Sequence, residues 1–501
     1  MKQLWISFLL ILLLYGCKSE DIQNDYVEDP LRKDQWYISG VNSETDIEHI
    51  NLNQTQYSGK GVLISLVDNG IDISHEDLKP NIGIGNYSYL PKEYNFEEKS
   101  DHGTACAGII AAVKGNGKGI RGIAPSAKII GFNALRLATI SNLADALIRG
   151  KNRVWISNNS WGDINSWGEP LALKKLMEEA LIEGVNKGRD GKGIIYVFAA
   201  GNGDNIVNDL PIDNVNYSGL VNNRYTVPVC AVDEYGKRAF YSEKGATLIV
   251  CAPSKGSVSG RGITTTDVQG KHGYNPLYFK DDYLDQNYTK SFGGTSASAP
   301  IVSGVIALIL EARPQLTWRD LRVVLAKSAK KNDIHDNDWR MNSAGYHVNH
   351  KYGFGLVDTD EAIRIALQHK LLEKEQIFEY EKNVSMIIPD GSNEGISDEI
   401  FVDNTLQIEF IDIIFDASDH PNLGELDVIL TSPTGTTSVL AEQHNTLFDV
   451  FVYNHWRFGT MRHLGENTKG IWKIKVVDKK SGNTGTFFKW KLKFYGNNSD
   501  T

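Results

Sequence analysis

Three groups of residues in this chain could do nucleophilic chemistry together. The run GVLISLVD, residues 61–68, is an apolar segment that ends in the carboxylate of Asp68. Asp101-His102-Gly103-Thr104 sets an imidazole at the head of an apolar stretch that continues to Ala112. Gly293-Gly294-Thr295-Ser296-Ala297-Ser298-Ala299-Pro300 sets a hydroxyl just ahead of another apolar stretch, which reaches Leu310. A serine hydroxyl is a weak nucleophile until a neighbouring imidazole takes its proton, and that imidazole needs a carboxylate to hold it in one tautomer. Taken singly, the Asp reads as a cap and the His as a structural residue. Together they supply a complete nucleophile, base and orienting acid in the chain order Asp, His, Ser. The chain has no G-x-S-x-G around Ser296, which excludes the strained elbow that presents serine in α/β hydrolases.

Such groups need a framework that delivers them to one place. Parallel sheets bring reactive groups to the carboxyl ends of their strands, and a helix N-terminus favours developing negative charge. The sequence between Asp29 and Ala366 has the right pattern. Apolar runs at 61–67, 127–132, 154–157, 193–199 and 225–231 read as strands, with helical periodicity at 143–149 and 171–185 between them. This alternation predicts an α/β unit, a parallel sheet with helices on both faces. A Lys- and Glu-rich passage, 368–382, is the expected linker. Beyond it only strand patterns remain, at 406–415, 425–431, 471–477 and 486–495, with turns at Pro433-Thr434-Gly435 and Ser481-Gly482-Asn483. An all-β sandwich is the prediction for that part. The chain is accordingly divided into 1–17, 18–28, 29–367, 368–382 and 383–497.

Two units suit 501 residues, since one core rarely serves more than about 300. A net charge of -10 with no long basic run speaks against nucleic acid as a partner. The four cysteines form no C-x-x-C pair, so neither a zinc cluster nor a disulfide scaffold is indicated. Cys106 follows His102 by four residues, on the same face if the segment is helical, and reads as a buried, inert thiol. Cys230 and Cys251 end neighbouring apolar segments, and the sequence leaves their pairing open.

The first residues are an address. Lys2, an apolar run at 4–15 and the small Gly16 precede Cys17. The run is shorter than the ~20 residues that span a bilayer, so it reads as an export signal. Leu14-Tyr15-Gly16-Cys17 resembles the lipobox of bacterial lipoproteins. That likeness implies cleavage before Cys17, acylation of its thiol and attachment to a lipid bilayer of the bacterial cell envelope, at the periplasmic or surface face of the outer membrane. The polar segment 18–28 would be the tether.

From Asp29 nearly to the C-terminus the chain resembles the kexin/furin branch of the subtilisin-like serine proteases. The resemblance is carried by Gln35-Trp36-Tyr37, Val67-Asp68-Asn69-Gly70-Ile71, His102-Gly103-Thr104, Ser160-Trp161-Gly162, Gly201-Asn202-Gly203, Tyr241-Ser242-Glu243 and the run from Gly294 to Pro300. Leu316-Thr317-Trp318-Arg319-Asp320 and Tyr352-Gly353-Phe354-Gly355-Leu356 add to it, as do Leu430-Thr431-Ser432-Pro433-Thr434-Gly435-Thr436 and Phe494-Tyr495-Gly496 in the second unit. It implies a subtilisin-like sheet followed by a jelly-roll P domain. It also implies a calcium-dependent serine endopeptidase that acts on protein or peptide substrates through an acyl-enzyme on Ser296, with His102 as base then acid and Asp68 orienting it.

Further roles follow from the same likeness. Asn202 and the Ser296 N–H would donate to the oxyanion. Ser160, Trp161 and Gly162 would line a cleft where an extended peptide adds as a strand. Of two acids that hold a basic P1 side chain, Asp213 is kept, while Asn165 stands at the other position. Neutral Asn69 and Lys99 depart from the dibasic pattern, so the implied cleavage is after Arg or Lys without a strict P2 requirement. Asp29, Asp77 and Asn116, with the carbonyls of Val113, Lys118 and Ile120, match a Ca2+ site. A second site near the P1 pocket would use Glu243 and Asp209, with Asn165 and Asn208 standing where acids are expected. Only 18–28 lies between Cys17 and the catalytic resemblance, so the expectation is folding without a prosegment or with a separate folding partner. Two other readings stay open: a protease of broad specificity, and an inactive, lipid-tethered binding protein.

Overall fold

The computed structural model describes residues 27–39, 47–91, 100–162, 167–204, 206–207, 210–277, 281–446 and 451–498. Its first unit is built on seven strands: β1 (Leu63–Asp68), β2 (Tyr87–Ser88), β3 (Lys128–Asn133), β4 (Ile156–Asn159), β5 (Ile195–Ala199), β6 (Thr226–Val232) and β7 (Val250–Pro253). They lie in the order β2-β3-β1-β4-β5-β6-β7, every pairing parallel. The expected strands are all present, displaced by one to two residues.

Apart from the short, partly exposed edge strand β2, the strands are buried on both faces because their apolar residues alternate between two cores. Ile64, Leu66, Ile195 and Val197 face one cluster, with α1 (Asp101–Ala111), α4 (Thr295–Ala312), α5 (Trp318–Ser328) and α6 (Thr359–Gln368) packed on that side. Val67, Phe132, Tyr196 and Phe198 face the other, under α2 (Ile140–Ile148) and α3 (Lys175–Lys187). Cys230 and Cys251 are direct partners across β6 and β7 and form a disulfide. An antiparallel ribbon, β8 (Ile263–Thr266) and β9 (Tyr288–Phe292), leans on α1.

The second unit is a sandwich of two antiparallel sheets. One has the order β10-β17-β12-β15, from β10 (Gln376–Ile388), β12 (Gln407–Ala417), β15 (Tyr453–Thr460) and β17 (Gly485–Asn497). The other has the order β11-β16-β13-β14, from β11 (Ile396–Val402), β13 (Leu426–Thr431), β14 (Thr437–Ala441) and β16 (Gly470–Asp478). Trp472, Trp490, Phe415, Phe487 and Phe494 fill the space between them.

One expectation is corrected here. The charged passage 368–382 is linker only in its first part, because β10 starts at Gln376 and pairs with β17 through Lys382 and beyond. Its Lys and Glu residues misled because the strand is half exposed: Glu379 bonds Lys491 and Lys493, and Glu381 bonds Lys489 across the sheet.

The two units share a continuous interface. Tyr217 and Ala246 of the first join the core of the second. Asn216 donates to the Gly459 carbonyl at 2.8 Å, Trp456 donates to the Asn216 carbonyl at 3.1 Å, and Arg319 pairs with Glu409 at 2.7 Å.

Candidate active site

β1 ends in Asp68, which is 1% exposed, with its Oδ1 accepting from the Asn69 N–H at 2.7 Å. Both of its carboxylate oxygens lie 3.0 Å from His102 Nδ1. His102 is the second residue of α1, and the helix comes this close only because Gly103 has no side chain: a Cβ there would lie 1.9 Å from the Gly70 carbonyl oxygen. From the far side, the hydroxyls of Thr265 and Thr266 on β8 donate to the carbonyls of Ala105 and Thr104 at 2.6 and 2.7 Å. Phe292 meets the imidazole ring edge-on, centroids 5.6 Å apart. Burial disfavours the imidazolium, but the charge and hydrogen bond of Asp68, with a smaller contribution from Asp101, outweigh it and leave the His102 pKa raised above its ordinary value.

Ser296 is the second residue of α4, where first-turn N–H groups have no acceptor within the helix. Its Oγ donates to the Ser160 carbonyl at 3.1 Å. Four residues later Pro300 lacks the N–H that would otherwise bond the Ser296 carbonyl. The Cys106 thiol takes that place, with Sγ 3.6 Å from the Ser296 oxygen. Cys106 is buried and burial pushes its pKa well up, so it serves as a neutral donor under the nucleophile.

Asn202 follows β5. Its Oδ1 accepts from the N–H and hydroxyl of Thr295, both at 2.9 Å. A backbone N–H can only donate, so this contact fixes which end of the amide is oxygen and turns Nδ2 the other way. Asn202 lines the same cleft as Ser296, so a donor amide and a helix N-terminus face one space. Tyr241 and Ser254, to which the sequence attached no role, hold the turn before the serine: Gly294 donates to the Tyr241 hydroxyl at 3.1 Å and accepts from Ser254 at 2.8 Å.

The cleft has a volume of about 350 Å³. Ser160, Trp161 and Gly162 lie along it, and Asp213, Glu243 and Ser296 share its lining. Glu169 and Trp167, which sequence reasoning missed, line it too. A hint was available, since both lie within seven residues after the segment read as a cleft wall. Glu243 accepts from the Gly203 N–H at 3.0 Å. Asn69 instead accepts the Ser100 hydroxyl at the start of α1. Cys17, Lys99, Asn165, Asn208 and Asp209 lie outside the described residues.

A second cluster forms around the loop 113–120. Asp29 accepts from the N–H groups of Gly115, at 2.8 Å, and Asn116, at 3.1 Å. Asp77 accepts from the Asn116 side chain at 2.9 Å and the Ile120 N–H at 3.1 Å. The Lys118 N–H donates to Asn116 Oδ1, and the Val113 N–H to the Asp77 carbonyl, both at 2.9 Å. Burial, with the negative charge of Asp29 as a further contribution, pushes the Asp77 carboxyl up to about 7. Burial also raises the Asp29 carboxyl above its ordinary value, and two buried carboxylates side by side suit a hard divalent cation, which would remove that penalty.

Comparison with known proteins agrees with this geometry. Residues 59–355 match the model of the subtilase family and residues 416–494 that of the proprotein convertase P-domain. Protease KEX1 of Kluyveromyces lactis is 32% identical over 96% of this chain and 63% of its own length. Kexin of Saccharomyces cerevisiae is 33% identical over 95% of this chain and 57% of its own. The chain thus spans about three fifths of these relatives. Among solved structures, the Aeromonas sobria serine protease in complex with the chaperone ORF2 superimposes with a TM-score of 0.83 at 25% identity, covering 94% of this chain and 96% of that one. By its sequence and its fold, this chain belongs to the subtilase family of serine proteases and, with its P domain, fits the kexin/furin-like branch.

Proposed function

We propose that the chain is a calcium-dependent endopeptidase that cleaves after Arg or Lys without a strict requirement at P2. The carrying observation is the lining of the cleft beside Ser296: Glu169, Asp213 and Glu243 contribute three carboxylates, and among the described residues no Lys or Arg lines it. Such a pocket favours a cationic side chain and disfavours an acidic one. Kexin and a dibasic-processing endoprotease of Schizosaccharomyces pombe are among the relatives. Neutral Asn69, turned toward Ser100, supports the relaxed P2 requirement.

In the reaction, His102 Nε2 takes the Ser296 proton as Oγ attacks the scissile carbonyl. Asp68 holds Nδ1–H and stabilises the imidazolium. Asn202 Nδ2 and the Ser296 N–H receive the oxyanion, and His102 returns the proton to the leaving amine. Water then repeats the sequence on the acyl-enzyme.

Asp29, Asp77 and Asn116, with carbonyls of the loop that carries Val113, Lys118 and Ile120, would hold Ca2+ and join the N-terminal segment to α1. The ion's contribution is structural. Anchoring through an acylated Cys17 in the bacterial envelope rests on the lipobox-like sequence. The disulfide between Cys230 and Cys251 suits such an oxidising, exported setting. The chaperone bound to the Aeromonas protease supports a separate folding partner.

The test is a peptide panel varied at P1 and P2, run on wild type and Ser296→Ala with and without calcium. Cleavage after Arg or Lys should exceed cleavage after Leu by at least ~100-fold, the scale of one or two charged contacts. Equal rates after Arg and Leu would instead favour a broad-specificity protease.

A further inference from the structure

The wall of the cleft that carries Glu169 is fixed from behind by the second unit. Trp167 and Glu169 both line the cleft, and Gly168 between them is buried. The Gly168 carbonyl lies 2.8 Å from Nε2 of His444, a residue in the turn after β14. The contact is tight: Gly168 has a φ of +73°, and a Cβ there would lie 2.4 Å from His444 Cδ2 and 2.5 Å from the Ile212 carbonyl.

His444 is 5% exposed, and its ring stacks on Tyr217, which lines the cleft too, with centroids 4.5 Å apart and planes 26° from parallel. Nδ1 lies 3.2 Å from the Tyr217 hydroxyl and 2.7 Å from the Glu442 carbonyl. The next residue, Asn445, donates its N–H to the Pro211 carbonyl at 3.0 Å. On the near side, the Leu171 N–H donates to the Tyr217 carbonyl at 2.8 Å. One imidazole from the P domain is therefore wedged between the two segments, 167–171 and 211–217, that carry Glu169 and Asp213.

We propose that His444 is a positioning residue for the P1 pocket: by holding the Gly168 carbonyl and the Tyr217 ring, it sets where the Glu169 carboxylate stands. The P domain is then part of the selectivity for a basic side chain. The Glu169 half of this inference rests on the basic-P1 reading above. The His444 half does not.

The experiment compares kcat and KM of the full chain, wild type, His444→Ala, His444→Gln, Glu169→Gln and the His444→Ala/Glu169→Gln double variant, on peptides with Arg or Leu at P1. His444→Ala should raise KM for the Arg peptide about tenfold, the worth of one charged contact, with kcat changed far less. Gln, whose amide can still reach the Gly168 carbonyl, should recover most of the loss. The double variant should be no worse than the more severe single one, because both act on one contact.

Multiplying effects in the double variant, or an equal loss on both peptides carried by kcat, would overturn the proposal. A wild type that cannot tell Arg from Leu sinks the basic-P1 reading and the role of Glu169 with it. Positioning by His444 is then read from KM on either peptide, and an unchanged KM in His444→Ala overturns that as well. Should the Ala variant fail to fold, His444→Gln against His444→Asn makes the same comparison, since the shorter amide falls short of Gly168.

Discussion

The Ser296 hydroxyl donates its proton to the Ser160 carbonyl, 3.1 Å away on the wall of the cleft. A hydroxyl has one proton, so in this arrangement the nucleophile leans on the wall and has yet to turn toward His102. The wall at Ser160 to Gly162 is where an extended peptide would pair, and a substrate strand there competes for the carbonyl that Ser296 uses. Removing the hydroxyl altogether should abolish acylation while leaving the fold intact. Ser296→Ala is expected to lower kcat on the order of 10⁶-fold, the loss known for the corresponding change in subtilisin. Melting curves and covalent labelling with an active-site phosphonate check both halves.

Asn202→Ala should act on the transition state alone. The amide faces charge that appears only in the tetrahedral intermediate, so kcat should fall on the order of 10²–10³, as for subtilisin's oxyanion-hole asparagine, with KM little changed. Steady-state kinetics on a peptide substrate decide this. An equal change confined to KM would assign Asn202 to ground-state binding.

The pH profile follows from His102. Its pKa in the folded protein is raised by Asp68 despite burial, so the neutral base is lost on the acid side of a pKa that lies above the ordinary ~6.5. kcat/KM should fall with unit slope below that pKa. The effect on stability has the opposite sense. The imidazolium favours the folded state, so this contribution is whole below the unfolded pKa and is lost as pH rises through the folded one. Asp68→Asn should remove the upward shift and lower the activity at every pH.

Cys106 should matter for stability rather than as a nucleophile. Its thiol serves the carbonyl that Pro300 orphans in α4. Cys106→Val leaves that buried acceptor unmet and should cost about 1–3 kcal/mol in chemical denaturation. Cys106→Ser keeps a donor and should cost less. Equal losses would show that packing, not the hydrogen bond, decides.

Chelation tests the cluster at Asp29, Asp77 and Asn116. If Ca2+ binds the folded chain, a concentration 100 times its Kd stabilises by about 2.7 kcal/mol, so EDTA should lower Tm and Ca2+ should restore it. Asp77→Asn should blunt the response, because the buried carboxylate that needs the cation is gone. A Tm indifferent to both reagents would remove calcium from the reading.

Much of this was written in the sequence because it depends on local pattern. Strand positions follow from contiguous apolar residues that must face two cores, and Asp68, His102 and Ser296 stand at a strand end and two helix starts, which fixes their chemistry wherever those elements meet. The half-exposed strand at Gln376–Ile388 was hidden for the same reason: its alternating Lys and Glu residues read as solvent-facing linker, and only pairing with β17 makes them a sheet.

What the tertiary structure alone decided are relations between residues far apart in the chain. Cys230 and Cys251 pair because β6 and β7 are neighbours, and Cys106 meets the Ser296 carbonyl because α1 lies against α4. Glu169 joins Asp213 and Glu243 in one lining only when the first unit is folded, and His444 reaches Gly168 only across the interface with the P domain. Spacing along a chain carries periodicity, which determines elements. It carries no distance between elements, and the pocket's charge and its support are made of such distances.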